Sequence, residues 1–250
     1  MPEKKGEKNI RLDRALFLRR LVSSRARGEA LIKEGGVSVN GVVVKNKSAL
    51  VRDADVVALL MKESAWVSRG ALKLLHALEL WKINPKGKTV IDIGASTGGF
   101  TEVLLSRGAK KVYAVDVGHG QLAEKLLADP RVVNMEGIHI EKLSPSDVEG
   151  IAGMVVIDAS FISLEKVLPK AKELLKKKGV LVALIKPQFE VGKARIKKGI
   201  VNDPKLHAEV CRKIEGVAQE LGFAVLGVIL SPVLGGDGNK EFLLFARREA

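Results

Sequence analysis

Residues 90–100 read Val90-Ile91-Asp92-Ile93-Gly94-Ala95-Ser96-Thr97-Gly98-Gly99-Phe100, and this stretch decides the fold. An apolar strand runs into a cluster of small residues, and Phe100 opens a helical pattern that continues to Ser106. Strand, glycine-rich turn and helix in succession form the first half of a parallel crossover unit. Glycine allows the sharp bend there and a close backbone approach to a ligand. Outward from this point the pattern repeats. Apolar strand candidates at 111–115, 132–135, 154–158 and 180–185 have helical stretches at 120–128 and 164–175 between several of them. A helix over 70–80 precedes the series, and a helix over 204–221 and strands at 223–230 and 241–246 follow it. Such alternation predicts an α/β fold, a mainly parallel sheet with helices on both faces.

Ligands of open α/β sheets bind beyond the carboxyl ends of the strands, where the 94–99 turn lies. Asp116 ends the next strand, and a carboxylate there can accept hydrogen bonds from both hydroxyls of a ribose. The G-x-G-x-x-G spacing of a dinucleotide site is absent, as is the Gly-Lys-Ser/Thr ending of a P-loop. Asp92 followed by Gly94 resembles instead the pattern of adenosylmethionine-binding methyltransferases. A glycine turn with no ligand is the plainer alternative.

The first 60 residues are a different kind of chain. They carry 13 Lys/Arg against 7 Asp/Glu, while the other 190 carry 29 against 22. A helix over 11–21, a second from Ser23 or Ser24 toward Lys33 stopped by Gly35-Gly36, and a hairpin around Asn40-Gly41 make a compact unit, with a further strand at 55–60. This segment resembles the αL-type RNA-binding domain of ribosomal proteins and pseudouridine synthases. The resemblance implies that Arg14, Arg20, Arg25, Arg27 and Lys33 present their charge to structured RNA. The expected division is a small α+β RNA-binding domain over 1–60, a linker over 61–68 and a catalytic domain over 69–250.

Five ordered segments carry a closer resemblance: SRGALKL at 68–74, DIGASTGGFT at 92–101, AVDVGHGQL at 114–122, DASFISL at 158–164 and KPQFEVGK at 186–193. They are similar to the TlyA (hemolysin A-like) family of rRNA 2′-O-methyltransferases, related to the FtsJ type. The resemblance implies a Rossmann-like class I methyltransferase that uses S-adenosyl-L-methionine to methylate ribosomal RNA. The implied nucleotide is a cytidine, expected in 23S rRNA and as a second possibility in 16S rRNA. It also implies a Lys-Asp-Lys-Glu tetrad on Lys73, Asp158, Lys186 and Glu241. A lysine with its reference pKa of about 10.4 is a poor base at neutral pH. In this reading Lys186 is the general base, Lys73 lowers its pKa and positions the hydroxyl, and Asp158 and Glu241 orient the lysines. The implied cofactor contacts are Asp92, Gly94, Ala95, Ser96, Gly98, Gly99, Phe100, Asp116, Val117, Glu136 and Asp158. Taken singly, Lys73 reads as a surface lysine, Asp158 as a helix cap, Lys186 as a strand-end charge and Glu241 as a partner for Lys240.

The chain departs from the family in two places. Glu136-Gly137-Ile138-His139 stands where Glu-Arg-x-Asn is common, and Ser64-Ala65-Trp66-Val67 where Arg-x-Trp-Val is common. Ala250 follows the last strand directly, without the tail of the longer branch that modifies both subunits, and on that ground a large-subunit target is expected. The net charge of +13 fits a polyanionic partner. Aromatics make up only 4%, so base stacking is not the obvious binding device. One cysteine, Cys211, excludes an internal disulfide, and the four histidines form no local metal pattern, so no metal is expected. No apolar run approaches the roughly 20 residues of a membrane span, so no membrane partner and a cytoplasmic location are expected. Gly235 to Asn239 reads as either a loop at the substrate cleft or a plain connector. The rival functions are a non-catalytic RNA-binding factor and a membrane-active hemolysin.

Overall fold

The computed structural model describes residues 9–33, 35–61, 65–192, 196, 199–235 and 238–250. The chain forms two compact units, Met1–Ala65 and Trp66–Ala250.

In the first unit, β1 (Ile10–Arg11) leads into α1 (Leu12–Leu18) and α2 (Arg25–Lys33). The first helix is shorter than the 11–21 expected, because Arg20 turns left-handed and ends it. The Ser24 hydroxyl accepts the Arg27 N–H at 3.2 Å and caps the second. β2 (Val37–Val39) and β3 (Val42–Val43) pair around Asn40 and Gly41, whose φ angles of 50° and 80° are those of a type I′ turn. β4 (Leu50–Val51) pairs with β1, and β5 (Val57–Leu59) completes the sheet β3-β2-β5. Leu12, Ala15, Leu16, Ile32 and Val37 are its core.

The second unit opens with α3 (Gly70–Leu80), followed by β6 (Thr89–Ile93), α4 (Gly99–Ser106), β7 (Lys111–Asp116), α5 (Glu124–Leu127) and β8 (Val132–Glu136). β9 (Ala152–Ile157), α6 (Leu164–Leu174), β10 (Leu175–Ile185), α7 (Pro187–Glu190), α8 (Pro204–Glu220), β11 (Phe223–Leu230) and β12 (Phe242–Arg248) complete it. The strands lie in the order β11-β12-β10-β9-β6-β7-β8. The five from β10 to β8 pair in parallel, and β12 enters antiparallel between β10 and β11. The order reverses between β6 and β9, which makes a crevice beyond their carboxyl ends.

Strand alternation divides the core in two. Ile91, Ile93, Val155, Ile157, Leu181 and Ala183 pack under α6 and α8. Val90, Val112, Ala114, Met154, Val156 and Val182 pack under α3, α4 and α5. The helix expected over 120–128 is only one turn, α5. Glu136 accounts for the shortening: its carboxylate accepts the N–H groups of Gly120, Gln121 and Leu122, which holds that segment as a loop.

Candidate active site

Four charged residues from four elements meet at the carboxyl end of the sheet. Lys73 lies on the face of α3 that also buries Ala71, Leu74 and Ala77. Asp158 follows β9, Lys186 follows β10, and Glu241 precedes β12. The pairing of Ile185 with Phe242 brings the last two side by side. Lys73 Nζ lies 2.6 Å from Glu241 Oε2 and 3.9 Å from Asp158 Oδ2, and Lys186 Nζ lies 2.6 Å from Asp158 Oδ1. The order of contact is therefore Glu241, Lys73, Asp158, Lys186, with charges alternating.

Lys73 and Lys186 are each 7% exposed and Glu241 3%, so the single-residue reading of Lys73 as a surface lysine does not hold. Burial of such groups is tolerable only where opposite charges and hydrogen bonds replace water. Lys186 makes two further hydrogen bonds, to the Ser160 hydroxyl at 2.9 Å and the Asp158 carbonyl at 3.4 Å. Ser160 and its neighbour Phe161 were not singled out from the sequence. Phe161 is 92% exposed, has a φ of 65°, and sets its ring 5.2 Å from that of Phe189. The Lys186 ammonium stands 6.0 Å from the Phe189 ring centre. An exposed aromatic beside polar buried groups is a platform for a planar ligand. The signal in the sequence is a pair of apolar residues, Phe161 and Ile162, between Ser160 and Ser163 where an ordinary turn would be polar.

The glycine-rich turn adjoins this cluster. A β-carbon on Gly94 would stand 2.7 Å from the Asp158 carbonyl oxygen. Asp92 lies two residues before Gly94, near the end of β6. It is fully buried on the α3/α4 side of the sheet, where its Oδ2 accepts the Thr101 hydroxyl at 2.7 Å and its Oδ1 has no partner. Burial pushes its carboxyl up to about 7. Phe100 is likewise buried, in the core beneath α4. Ser96 and Val117 are exposed, whereas Ala95, Gly98 and Gly99 are buried or nearly so.

Two carboxylates face the crevice from β7 and β8. Asp116 accepts the Ser96 N–H through Oδ2 and the Gly118 N–H through Oδ1, both at 2.8 Å. Each of its oxygens keeps a second lone pair, which suits a vicinal pair of ribose hydroxyls. Glu136 is occupied by three backbone amides, the one of Gln121 foremost, and these hold it down at about 2. In this structure it orders the 120–122 loop. The Gln121 side chain accepts the Ser96 hydroxyl at 3.1 Å and so links that loop to the glycine-rich turn.

The loop before β12 rests on the site. A β-carbon on Gly235 would stand 2.4 Å from Glu241 Oε1. Buried Asn239 accepts the Val201 N–H and donates to the Gly199 carbonyl, both at 3.0 Å. Positions 236 and 237 lie outside the described residues, as do Ser64, Lys193 and residues 1–8.

In the first unit, buried Asp13 holds Arg11 and Arg25, the latter at 2.7 Å. Burial pushes the Asp13 carboxyl up, but the two guanidinium groups outweigh it and hold it at about 2. Arg25 makes this ion pair while its side chain stays exposed. Arg14, Arg20 and Lys33 are exposed, and Arg27 is half-buried.

Residues 66–248 match the FtsJ-like methyltransferase family, and residues 10–57 match the S4 domain. The chain is 43% identical to the 16S/23S rRNA (cytidine-2′-O)-methyltransferase TlyA of Mycobacterium tuberculosis, over 97% of this chain and 91% of that protein. It is 37% identical to hemolysin A of Brachyspira hyodysenteriae, over 94% of this chain and 98% of that one. A solved structure of a candidate hemolysin from Streptococcus thermophilus superposes with a TM-score of 0.77 at 38% identity, covering 98% of this chain and 90% of the other. The chain therefore belongs to the FtsJ-like methyltransferases, in the TlyA branch that carries an S4 domain ahead of the catalytic one.

Proposed function

We propose that this protein transfers a methyl group from S-adenosylmethionine to the 2′-hydroxyl of a cytidine in ribosomal RNA. The observation that carries the reading is the contact between the glycine-rich turn and the alternating chain Glu241–Lys73–Asp158–Lys186. Bound S-adenosylmethionine supplies an activated methyl on a sulfonium. What remains for the protein is to deprotonate and aim a poor nucleophile.

The Gly94–Gly99 turn would lie beneath the amino-acid end of the cofactor, and Asp116 is suited to its ribose hydroxyls. Lys186, as its neutral amine, takes the proton of the 2′-hydroxyl and becomes an ammonium. Asp158 holds that ammonium in place, and Lys73, fixed by Glu241, directs the nucleophilic oxygen. Phe161 offers a face on which the base of the target nucleotide stacks, with Phe189 behind it. The S4 domain contributes Arg14, Arg20, Arg27 and Lys33 to structured RNA. The expected substrate is the large subunit, with 23S rRNA first and 16S rRNA second; the mycobacterial relative is named for both rRNAs and a Campylobacter jejuni relative for 23S rRNA alone. No helix among the described residues is long and apolar enough to cross a membrane.

The test is transfer of labelled methyl to ribosomal subunits that lack the modification, large and small in separate reactions, followed by mapping of the labelled ribose. Label on a 2′-oxygen of a cytidine is expected. Label on a base, or none on either subunit, refutes the reading.

A further inference from the structure

A second feature lies at the other end of the same sheet. Trp81, Lys82, Ile83, Asn84, Lys88, Lys178, Val180, Phe245 and Arg247 line a cavity of about 320 Å³. Lys88 sits just before β6, and Val180 pairs with Arg247 across β10 and β12. The cavity is thus at the amino ends of the parallel strands. Five residues of strand, about 17 Å at 3.3 Å per residue, separate it from the reacting end.

Three lysines and an arginine surround it, and none of the lining residues is acidic. Its floor is aromatic: the Trp81 and Phe245 rings lie 5.2 Å apart. The Lys88 ammonium donates to the Asn84 carbonyl. Burial, and then the charges of Lys176 and Arg247, push it below the usual lysine range. A concentration of like charge around an apolar floor is unfavourable unless an anion enters.

The backbone supplies an independent sign. Lys82 and Lys178 have φ of 51° and 60°. Lys82 occupies the left-handed position that ends α3, where Ile83 N–H returns to the Leu78 carbonyl. Glycine or asparagine is the favoured residue there. Lys178 sits in the irregular stretch of β10 between Leu175 and Val180. At two unrelated turns, both on this cavity, a lysine stands where its own backbone disfavours it. Strain of this kind marks places where the side chain is used.

We propose that this cavity is a second RNA-binding site, which takes a phosphodiester group of the substrate RNA behind the catalytic domain. The exposed Lys176 and Lys177 continue the basic surface past its rim, as a polymer backbone requires and a single phosphate does not. The inference rests on RNA being the substrate, and its test separates the two.

The test compares the full-length protein with its Lys82→Gly/Lys178→Gly variant. Glycine relaxes both turns, so the variant should melt no lower than the wild type. Binding to a fluorescently labelled, in vitro transcribed rRNA fragment is followed by anisotropy over a salt series. We expect Kd to rise about tenfold and the slope of log K against log salt to fall by about two, since each phosphate contact contributes about 0.9. The KM for RNA should rise, with kcat at saturating RNA and adenosylmethionine affinity unchanged. A folded variant with unaltered RNA affinity and salt slope overturns the proposal. So does AMP binding the wild type at micromolar concentration without displacing RNA, which marks a free-nucleotide site. A wild type with no RNA affinity refutes the substrate reading as well, a pattern distinct from either.

Discussion

Gly94 and Asp158 touch through their backbones: a β-carbon on the glycine would stand 2.7 Å from the carbonyl oxygen of the aspartate. The turn proposed to hold the cofactor and the cluster proposed to do the chemistry are therefore packed as one piece. Gly94 also has a φ of +83°, which costs an L residue of order 1–3 kcal/mol. Gly94→Ala should lower the melting temperature and abolish adenosylmethionine binding in a calorimetric titration. Wild-type affinity in that variant would show that the contact is dispensable.

Lys186→Ala should reduce kcat by about 10²- to 10⁴-fold, the range of general-base contributions, with adenosylmethionine affinity retained. Glu241→Gln removes the charge but keeps an amide oxygen that can accept from Lys73, leaves the 3.9 Å approach to Asp158 as the ion pair of that lysine, and should give a smaller loss. Turnover by the Lys186→Ala enzyme at the wild-type rate in a labelled-methyl assay removes that residue from the mechanism.

Phe161→Ala changes an exposed side chain and should leave folding and adenosylmethionine binding alone. Base–aromatic stacking contributes about 1–3 kcal/mol, so KM for RNA should rise roughly ten- to a hundredfold. An unchanged KM assigns the base to another surface.

Asp92 has a carboxyl raised from 3.8 to about 7 by burial. Its proton is held more tightly in the folded chain than in the unfolded one. This contribution to stability is fully present below pH 3.8 and is lost as pH rises through about 7. Thermal melts from pH 5 to pH 8 should show a decline that Asp92→Asn flattens. Parallel wild-type and variant curves would locate the decline elsewhere.

Glu136 carries the opposite shift, from 4.5 down to about 2. Its contribution is present above pH 4.5 and disappears as pH falls through 2. Glu136→Gln should speed amide exchange at Gly120, Gln121 and Leu122 severalfold at neutral pH. Unchanged protection there means that the loop is ordered by other contacts.

Much of this was legible in the chain itself, for a definite reason. Strand-to-turn transitions such as Ile93-Gly94 and Ile157-Asp158 combine an apolar period with a local breaker, and both signals are short-range. The hairpin at Asn40-Gly41 is readable on the same ground. What escaped notice depends on distant partners. The loop at 120–122 is set by a carboxylate 14 to 16 residues away, and at the end of α1 Arg19 is tied to the carbonyls of Arg52 and Asp55. Ser160 acquires its place only because Lys186 folds back to it, 26 positions along. For Asp92 the sequence reveals position on a strand more readily than which side of the sheet the carboxylate packs on, which its bond to Thr101 shows.

Lys73 and Glu241 are separated by 168 positions, and Glu241 is delivered by the strand that enters the sheet last. During synthesis Lys73 and Asp158 are both made before Glu241, and β11 gains its pairing with β12 only when that strand enters between it and β10. In the proposed mechanism, competence therefore waits for β12. A nascent chain still short of that strand can meet RNA through its amino-terminal module without modifying it, so recognition precedes reactivity in the life of each molecule.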